Sequence, residues 1–431
     1  MFTALVLLVI LIVASPAIAF ADGTTTYGLV ALVVAVALGA VSTGVRPGEA
    51  GHLVRVVRPV VLLLAVPALW MLVQLSPMPF RALAHPVWAS AAEALNAPIS
   101  GHISIDLGAT LVGLVRYLTA AGILVVATAV AIDRTRAEWL LYWLTGTTAF
   151  LAAALIAYNL LELFPVAGSR APAALWASSA LGTIIAAAAT IRSVERYETR
   201  RNQAGMTRTK FARSLTANLS ALAMCWIALV IAAPIEVTFA ACCGSAAAGL
   251  VVIMRRFALE RFAVGALAAV TIVAAIAIAA ASSNAAGGSL TLRFAAESSP
   301  SAVSIAERMI VDNPVGTGAG TFGSLLPVYR NIDEVNVPEF APTTAALVAI
   351  EMGRPALWFF VLLTIVATGL LVRGAANRGR DSFFAIGAAG SAITLTVEAF
   401  VDASLTGTAI VILATAVLGL GLAQSASRTV G

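Results

Sequence analysis

The stretch Phe2–Phe20 reads FTALVLLVILIVASPAIAF and contains no charged residue. Its length is close to the roughly 20 residues that a helix needs to cross a bilayer. Comparable runs recur along all 431 residues, of which 60% are hydrophobic and 11% charged. A soluble protein carries about a quarter charged residues. The sequence therefore predicts an all-α, polytopic transmembrane helix bundle.

The first run also resembles a secretory signal peptide, because it ends in small residues. It has no Lys or Arg before its apolar core, and a second apolar run follows almost at once. We therefore expect an uncleaved first helix.

Twelve spans are expected from the apolar runs. They lie near 2–20, 27–45, 59–75, 109–132, 139–161, 174–191, 216–233, 238–254, 262–281, 355–372, 383–401 and 408–424. We divide the chain into nine spans over 1–281, including an outer loop at 76–107, then a large loop at 282–354 and three spans over 355–431.

Basic residues indicate the orientation of these spans. Of the 26 Lys and Arg residues, 19 follow even-numbered spans and so lie on one face. The positive-inside rule makes that face cytoplasmic. Both termini are then predicted to be cytoplasmic, with the large loop on the outer side of the membrane. The net charge of +5 reflects this bias, and we expect no nucleic-acid partner.

The cysteines Cys225, Cys242 and Cys243 lie in apolar runs without metal-binding spacing. They are typical of small apolar helix residues. We expect no metal and no cofactor.

The large loop contains the glycine-rich stretch Asp312–Phe322, DNPVGTGAGTF. With Gly323 it fits the pattern G-x-G-x-x-G, but a dinucleotide loop belongs in a βαβ unit on the cytoplasmic side. No Lys-Ser or Lys-Thr pair follows the glycines, so a P-loop is excluded as well. Ser299-Pro300 predicts the start of a short helix before this stretch, and Thr343 or Thr344 the cap of a second one after it.

Arginine is conspicuous on the outer side. Arg293, Arg308 and Arg330 lie in the large loop, and Arg116 lies inside the fourth span. Guanidinium groups bind phosphate oxygens well, which suggests a diphosphate site. The alternative is ion pairing with loop carboxylates, or of Arg116 with Glu398 or Asp402.

Two segments resemble the O-antigen ligase and polysaccharide polymerase superfamily of the bacterial envelope. One is WMLVQLSPMPFRALAHPVW (Trp70–Trp88) with HISIDLGATLVGLVRYL (His102–Leu118). The other is IAERMIVDNPVGTGAGTFGSLLPVYR (Ile305–Arg330) with APTTAALVAIEMG (Ala341–Gly353). Their order, spacing and sidedness match the family pattern over most of the chain.

The resemblance implies a glycosyltransferase of the bacterial inner membrane, with its large loop in the periplasm. It also implies that the enzyme uses a glycan carried on a polyprenyl diphosphate. The acceptor would be another glycan or a lipid A core, and membrane lipids and other polysaccharide assembly proteins are expected partners. The arginines that match are Arg116, Arg308 and Arg330, with Arg293 as a further candidate. The predicted loop-shaping residues are Asn313, Gly316, Gly318, Gly320 and Gly353.

One position departs from the family pattern. The ligases carry a histidine eleven residues before the glycine that closes the loop, and this chain has Pro342 there. Glu351 and His102 are the predicted replacement bases, although a histidine in an outer loop, such as His85 or His102, is more often a simple polar residue. The missing histidine favours a polymerase over a ligase. A lipid-linked sugar transporter and a non-catalytic partner in polysaccharide assembly remain alternatives.

Overall fold

The computed structural model describes residues 1–44, 47–79, 83–161, 171–201, 208–256, 291–295, 299–330, 341–377 and 381–425. The described chain is all-helical, without a strand. The helices are α1 (Phe2–Phe20), α2 (Thr24–Gly44), α3 (Pro47–Leu75), α4 (Val87–Leu95), α5 (Leu107–Ala131), α6 (Arg134–Leu161), α7 (Ala171–Arg201), α8 (Arg208–Ala232), α9 (Ile235–Arg256), α10 (Pro300–Asp312), α11 (Phe322–Tyr329), α12 (Thr344–Glu351), α13 (Arg354–Asn377), α14 (Ser382–Glu398) and α15 (Thr408–Ser425).

Ten of these helices are long and apolar enough to cross a membrane. The chain is therefore a multi-pass helical membrane protein, as its composition predicts. Ten of the twelve predicted spans coincide with these helices. An eleventh, near 383–401, corresponds to α14, which is apolar but only 17 residues long. The predicted span at 262–281 lies outside the described residues.

Helix α14 forms the centre of the bundle. Every residue from Ser382 to Leu395 is buried, and α14 packs against α7, α9, α13 and α15. Small residues permit this crowding: a Cβ atom on Gly390 would lie 2.9 Å from the carbonyl oxygen of Gly244 in α9, and one on Gly387 would lie 2.8 Å from Ala188 in α7. Close approach at small residues is the common way for membrane helices to associate.

An ion cluster joins the helices at one end of the bundle. Glu138 of α6 pairs with Arg192 of α7 at 2.8 Å, and also with Arg196 and Arg134. Arg134 in turn pairs with Asp381, the residue before α14, at 2.9 Å. We call this end the basic end.

The opposite end carries the two long connections, one between α3 and α5 and the other between α9 and α13. We call it the loop end. Helices α10, α11 and α12 form a small apolar core of their own there, which includes Ile305, Met309 and Leu325. The connection between α3 and α5 lies against them, since the amide of Ile105 donates to the carbonyl of Thr317 at 2.9 Å.

Both predicted helix starts of the loop end are present. The Ser299 hydroxyl accepts a hydrogen bond from the amide of Ala302, and that of Thr343 accepts one from Ala346. The sequence predicts these starts correctly because a cap depends only on neighbouring residues.

Candidate functional site

The glycine loop, Asn313–Thr321, is bound to the rest of the loop end through its backbone. The amide of Thr317 donates to the carbonyl of Ile350 at 3.1 Å, and that of Gly318 to the carbonyl of Glu351 at 2.9 Å. The amide of Gly316 donates within the loop to the carbonyl of Asn313. These N–H groups are therefore engaged by the protein itself.

The glycines have positive φ angles and very close neighbours. Gly316 has φ +90°, and a Cβ there would lie 2.5 Å from the carbonyl oxygen of Glu351. Gly318 has φ +106°, and its Cβ would meet the hydroxyls of Thr110 and Ser104. Gly320 faces the carbonyl of Ala109 in the same way. The loop thus lies between the start of α5 and the end of α12, and its glycines permit contact with the chain itself.

The turn after α12 completes this attachment. Gly353 has φ +89°, and its Cβ would collide with the carbonyls of Pro314 and Val315. From α3, the Gln74 side chain donates to the carbonyl of Glu351 and the Trp70 indole to that of Met352, both at 2.9 Å. The glycine loop, α3 and the α12–α13 turn therefore form one packed unit.

A polar cluster lies at the edge of this unit, and we name it the Tyr329 cluster: Arg308, Asp312, Asn313, Tyr329 and His85. The amide group of Asn313 donates to the Tyr329 hydroxyl at 3.2 Å, and the Arg308 guanidinium donates to the Tyr329 carbonyl at 3.4 Å. Asp312 also lies close enough to the Tyr329 hydroxyl to affect the pKa of that group. The cluster joins the end of α10 to the end of α11.

Burial and the neighbouring Asp312 raise the pKa of the Tyr329 phenol above its ordinary value. The phenol is therefore protonated at neutral pH and can donate to a carboxylate. Asp312 and Arg308 are themselves exposed, which leaves a carboxylate and a guanidinium at the surface on either side of this tyrosine.

His85 reaches the cluster from the connection between α3 and α5. Its Nδ1 accepts from the amide of Val87 at 3.3 Å, and its ring lies near the Asn313 side chain. Burial lowers the pKa of His85, and the nearby Asn313 opposes this effect only in part. The imidazole is therefore neutral at neutral pH and links the two long connections of the loop end.

The predicted diphosphate arginines of the large loop divide into two places. Arg308 contacts the backbone next to Arg330, since the carbonyl that it binds belongs to Tyr329. Arg293 is half-buried near Thr291, whose carbonyl accepts a hydrogen bond from Thr343 at the start of α12. Their predicted role in binding stays a prediction.

Arg116 has a partner that differs from the expected carboxylates. Its guanidinium carbon lies 3.8 Å from the ring centre of Tyr27, a cation–π contact. The Tyr27 hydroxyl donates to the carbonyl of Thr406 at 2.9 Å. The predicted pairing of Arg116 with Glu398 or Asp402 is absent from the described contacts. The aromatic ring replaces it, because Tyr27 at the start of α2 lies over the guanidinium.

The two carboxylates are buried instead at the end of α14. Asp402 accepts from the amide of Ser404 at 2.9 Å, and its carbonyl accepts from the amide of Thr344. Glu398 is fully buried, and neither of its carboxyl oxygens is hydrogen-bonded by a residue that the structure describes. The backbone of Asp402 thus connects the end of α14 to α12 rather than to Arg116.

The two predicted bases, His102 and Glu351, hold the backbone in place. His102 Nδ1 lies 3.0 Å from the Leu75 carbonyl, and its ring packs against Trp88. Glu351 Oε1 accepts from the amide of Phe322 at 3.1 Å, which caps α11 from outside. Both residues are only 9% exposed. Whether either accepts a proton from a substrate stays a prediction.

No protein-family model matches this chain, and no curated protein matches it.

Sequence reasoning missed Asp312, Tyr329 and the position of His85. A signal existed for the first two, because Asp312 begins the glycine stretch and Tyr329 directly precedes Arg330. His85 gave no such signal, since it belongs to the first outer loop and Asn313 to the second, and only the fold brings them together.

The Tyr329 cluster and the adjoining Arg330 combine two guanidinium groups, an exposed carboxylate and a neutral imidazole. Guanidinium groups bind phosphate oxygens in pairs of hydrogen bonds. A carboxylate or an imidazole can accept a proton from a hydroxyl. The cluster therefore has the groups needed to hold a phosphate leaving group and to deprotonate an attacking alcohol.

Proposed function

We propose that this protein transfers a glycan from a polyprenyl diphosphate carrier to an acceptor hydroxyl at the outer face of a bacterial inner membrane. The product would be a lengthened polysaccharide, as in an O-antigen or exopolysaccharide polymerase, or a glycan on lipid A core, as in an O-antigen ligase. The resemblance of the two quoted segments supplies the reaction class.

The observation that carries this proposal is the contact of Arg308 with Tyr329, directly before Arg330 and next to Asp312. It lies at the end of the bundle opposite the ion cluster of Glu138, where the positive-inside rule puts the outer face. A lipid-linked donor keeps its chain in the membrane and its diphosphate at the surface. The Tyr329 cluster is at the end where such a head group would lie.

In the proposed reaction, the hydroxyl oxygen of the acceptor forms a bond to the anomeric carbon of the donor. The bond from that carbon to the diphosphate oxygen breaks, and the diphosphate leaves with the electron pair. Arg308 and Arg330 would stabilise the negative charge that develops on it. The acceptor proton passes to a base.

We assign the base to Asp312. It is exposed and lies near the Tyr329 hydroxyl, whereas Glu351 is buried and bound to the amide of Phe322. His85 already accepts from the amide of Val87 through Nδ1, so it would position Asn313.

The test expresses variants of this protein in cells from which the native gene for it has been deleted. Arg308→Ala should remove most of the polymer, while Arg308→Lys should restore part of it because it keeps the charge but loses the planar fork. Asp312→Asn should lower the turnover by a factor of about 10²–10⁴ without weakening donor binding. Arg373→Ala is the matched control, because this exposed arginine lies near the other end of α13.

Polymer of unchanged amount and length in Arg308→Ala, at equal protein level, would contradict the diphosphate site. Normal polymer in every variant together with loss in the deletion strain would indicate a non-catalytic partner. The deletion strain separates the two enzyme types: single-unit product indicates a polymerase, and free lipid-linked long chains indicate a ligase.

A further inference from the structure

A half-open apolar cleft lies between α3 and α13, below the glycine loop. It has a volume of about 250 Å³. Its lining comes from both helices, the α12–α13 turn and the loop, and consists of Val66, Pro67, Trp70, Val315, Met352, Pro355, Ala356 and Phe359. Val66 is exposed and Phe359 half-exposed on the outside of the bundle. Because both helices are candidate spans, the cleft opens towards lipid.

The described lining offers no free polar side chain to an occupant. Its one side-chain donor, the Trp70 indole, is already bound to the Met352 carbonyl at 2.9 Å. An occupant must therefore be a hydrocarbon chain, since a buried polar group without a partner is unfavourable.

A cation directly adjoins this cleft in the chain. Arg354 is exposed and directly precedes Pro355, which lines the cleft. It forms no hydrogen bond or ion pair with any residue that the structure describes. It is also the first residue of α13, where a positive charge opposes the helix dipole. An anion bound beside Arg354 would remove this unfavourable interaction.

An apolar cleft with an exposed cation next to a lining residue fits an amphiphile with one anionic head. We propose that it holds the isoprenoid chain of a polyprenyl diphosphate, with Arg354 on the diphosphate; this inference rests on the proposed function. Val315 forms the roof of the cleft and lies two residues after Asn313 of the Tyr329 cluster. This proximity favours the carrier over an ordinary phospholipid, because Arg308 and Arg330, proposed to bind its diphosphate, belong to the same loop as Val315.

The experiment measures binding of polyprenyl diphosphate to the purified full-length protein in detergent. Ala356→Trp fills the cleft from α13, and Val66→Phe narrows it from α3. Each should weaken polyprenyl diphosphate binding at least about tenfold. Neither should change the binding of isopentenyl diphosphate, which has the same head but only one isoprene unit. Arg354→Ala should weaken both ligands.

Two control variants are matched by position on α13. Ile365→Trp adds the same side chain at an exposed site nine residues from Ala356, which is the opposite side of the helix. Arg373→Ala removes an arginine from the far part of the same helix. Both should bind polyprenyl diphosphate as the unaltered protein does. A single symmetrical peak in size-exclusion chromatography verifies that each variant is folded. The two cleft variants change different helices, so each tests the inference separately.

The outcomes separate this inference from the proposed function. If the unaltered protein does not bind polyprenyl diphosphate, both are overturned. If it binds and Arg308→Ala weakens binding, but both cleft variants bind normally, only the cleft is overturned. If phosphatidylglycerol competes as well as the polyprenyl compound, the cleft is a general lipid groove and the inference is also overturned.

Discussion

Gly318 occupies a position that only glycine fits well. Its φ of +106° lies in the region that side chains avoid, and a Cβ would lie 2.5 Å from the Thr110 hydroxyl and 2.6 Å from that of Ser104. Those two hydroxyls hydrogen-bond each other at 2.7 Å, so neither can move without breaking that bond. The glycines therefore allow the loop to pack closely against α5.

We expect Gly318→Ala to destabilise the protein by about 2 kcal/mol, the range for a residue forced into a strained backbone conformation. Thermal unfolding of the purified protein in detergent measures this. Gly323→Ala is the control: it lies in α11, and no described atom is within 4 Å of the place where its Cβ would be, so alanine there should be neutral or slightly stabilising. Equal melting temperatures for both variants would contradict the close packing of Gly318.

At the scale of single residues, the sequence predicted the loop-shaping glycines, whose φ angles are positive, but not which side chains contact each other. The glycines and the outer arginines stood out by composition alone. The contacts of Arg116 with Tyr27 and of His85 with Asn313 could not be foreseen, because each joins segments far apart in the chain.

The helices illustrate what hydropathy can and cannot predict. Span positions follow from apolar length, and the caps of α10 and α12 follow from Ser299-Pro300 and Thr343. The central place of α14 does not follow, because a lipid-facing helix and a buried one are both apolar. Its run of small residues from Gly387 to Ala392 allows close packing, but only the fold identifies its neighbours.

The ion cluster of the basic end joins α6, α7 and the start of α14. Arg192 is only 1% exposed, and its guanidinium carbon lies 4.4 Å from the ring centre of Tyr142. Glu138 is a shared acceptor for Arg192, Arg196 and Arg134. Loss of its charge would leave Arg192 buried without this counterion.

Glu138→Gln should therefore destabilise the protein by about 3–5 kcal/mol, as is usual when one partner of a buried ion pair is removed. Asp133→Asn is the comparison, because its pair with Arg136 is half-exposed and 3.8 Å long. That change should cost less than about 1 kcal/mol, since asparagine also keeps the cap on the Arg136 amide. Thermal unfolding of both variants measures these losses of stability. A smaller loss for Glu138→Gln than for Asp133→Asn would contradict the buried cluster.

On the scale of the whole molecule, the two ends differ in chemistry. The basic end carries the ion cluster, and the loop end carries α10, α11, α12 and the Tyr329 cluster. The sidedness predicted from arginine counts requires these ends to face opposite sides of the membrane. The compartment that each end faces is open to direct measurement.

Single cysteines in a chain without Cys225, Cys242 and Cys243 provide this measurement. Ser304→Cys, exposed on α10, should react with a membrane-impermeant maleimide in spheroplasts. Ala212→Cys, exposed near the start of α8, should react only after the membrane is permeabilised. The reverse pattern would invert the topology and remove the outer-face reaction from consideration.

The burial of α14 also has a consequence for biosynthesis. The helices that enclose it, α7, α9 and α13, are made earlier, and their surfaces around it stay uncovered until residues 382–398 leave the ribosome. The nascent bundle then lacks its centre and is held in lipid by its outer faces. Glu398, whose carboxyl group has no hydrogen bond within the described chain, enters the membrane in a segment shorter than a typical span. We therefore expect α14 to be inserted by its neighbours rather than by its own hydrophobicity, so that a late segment completes the assembly of earlier ones.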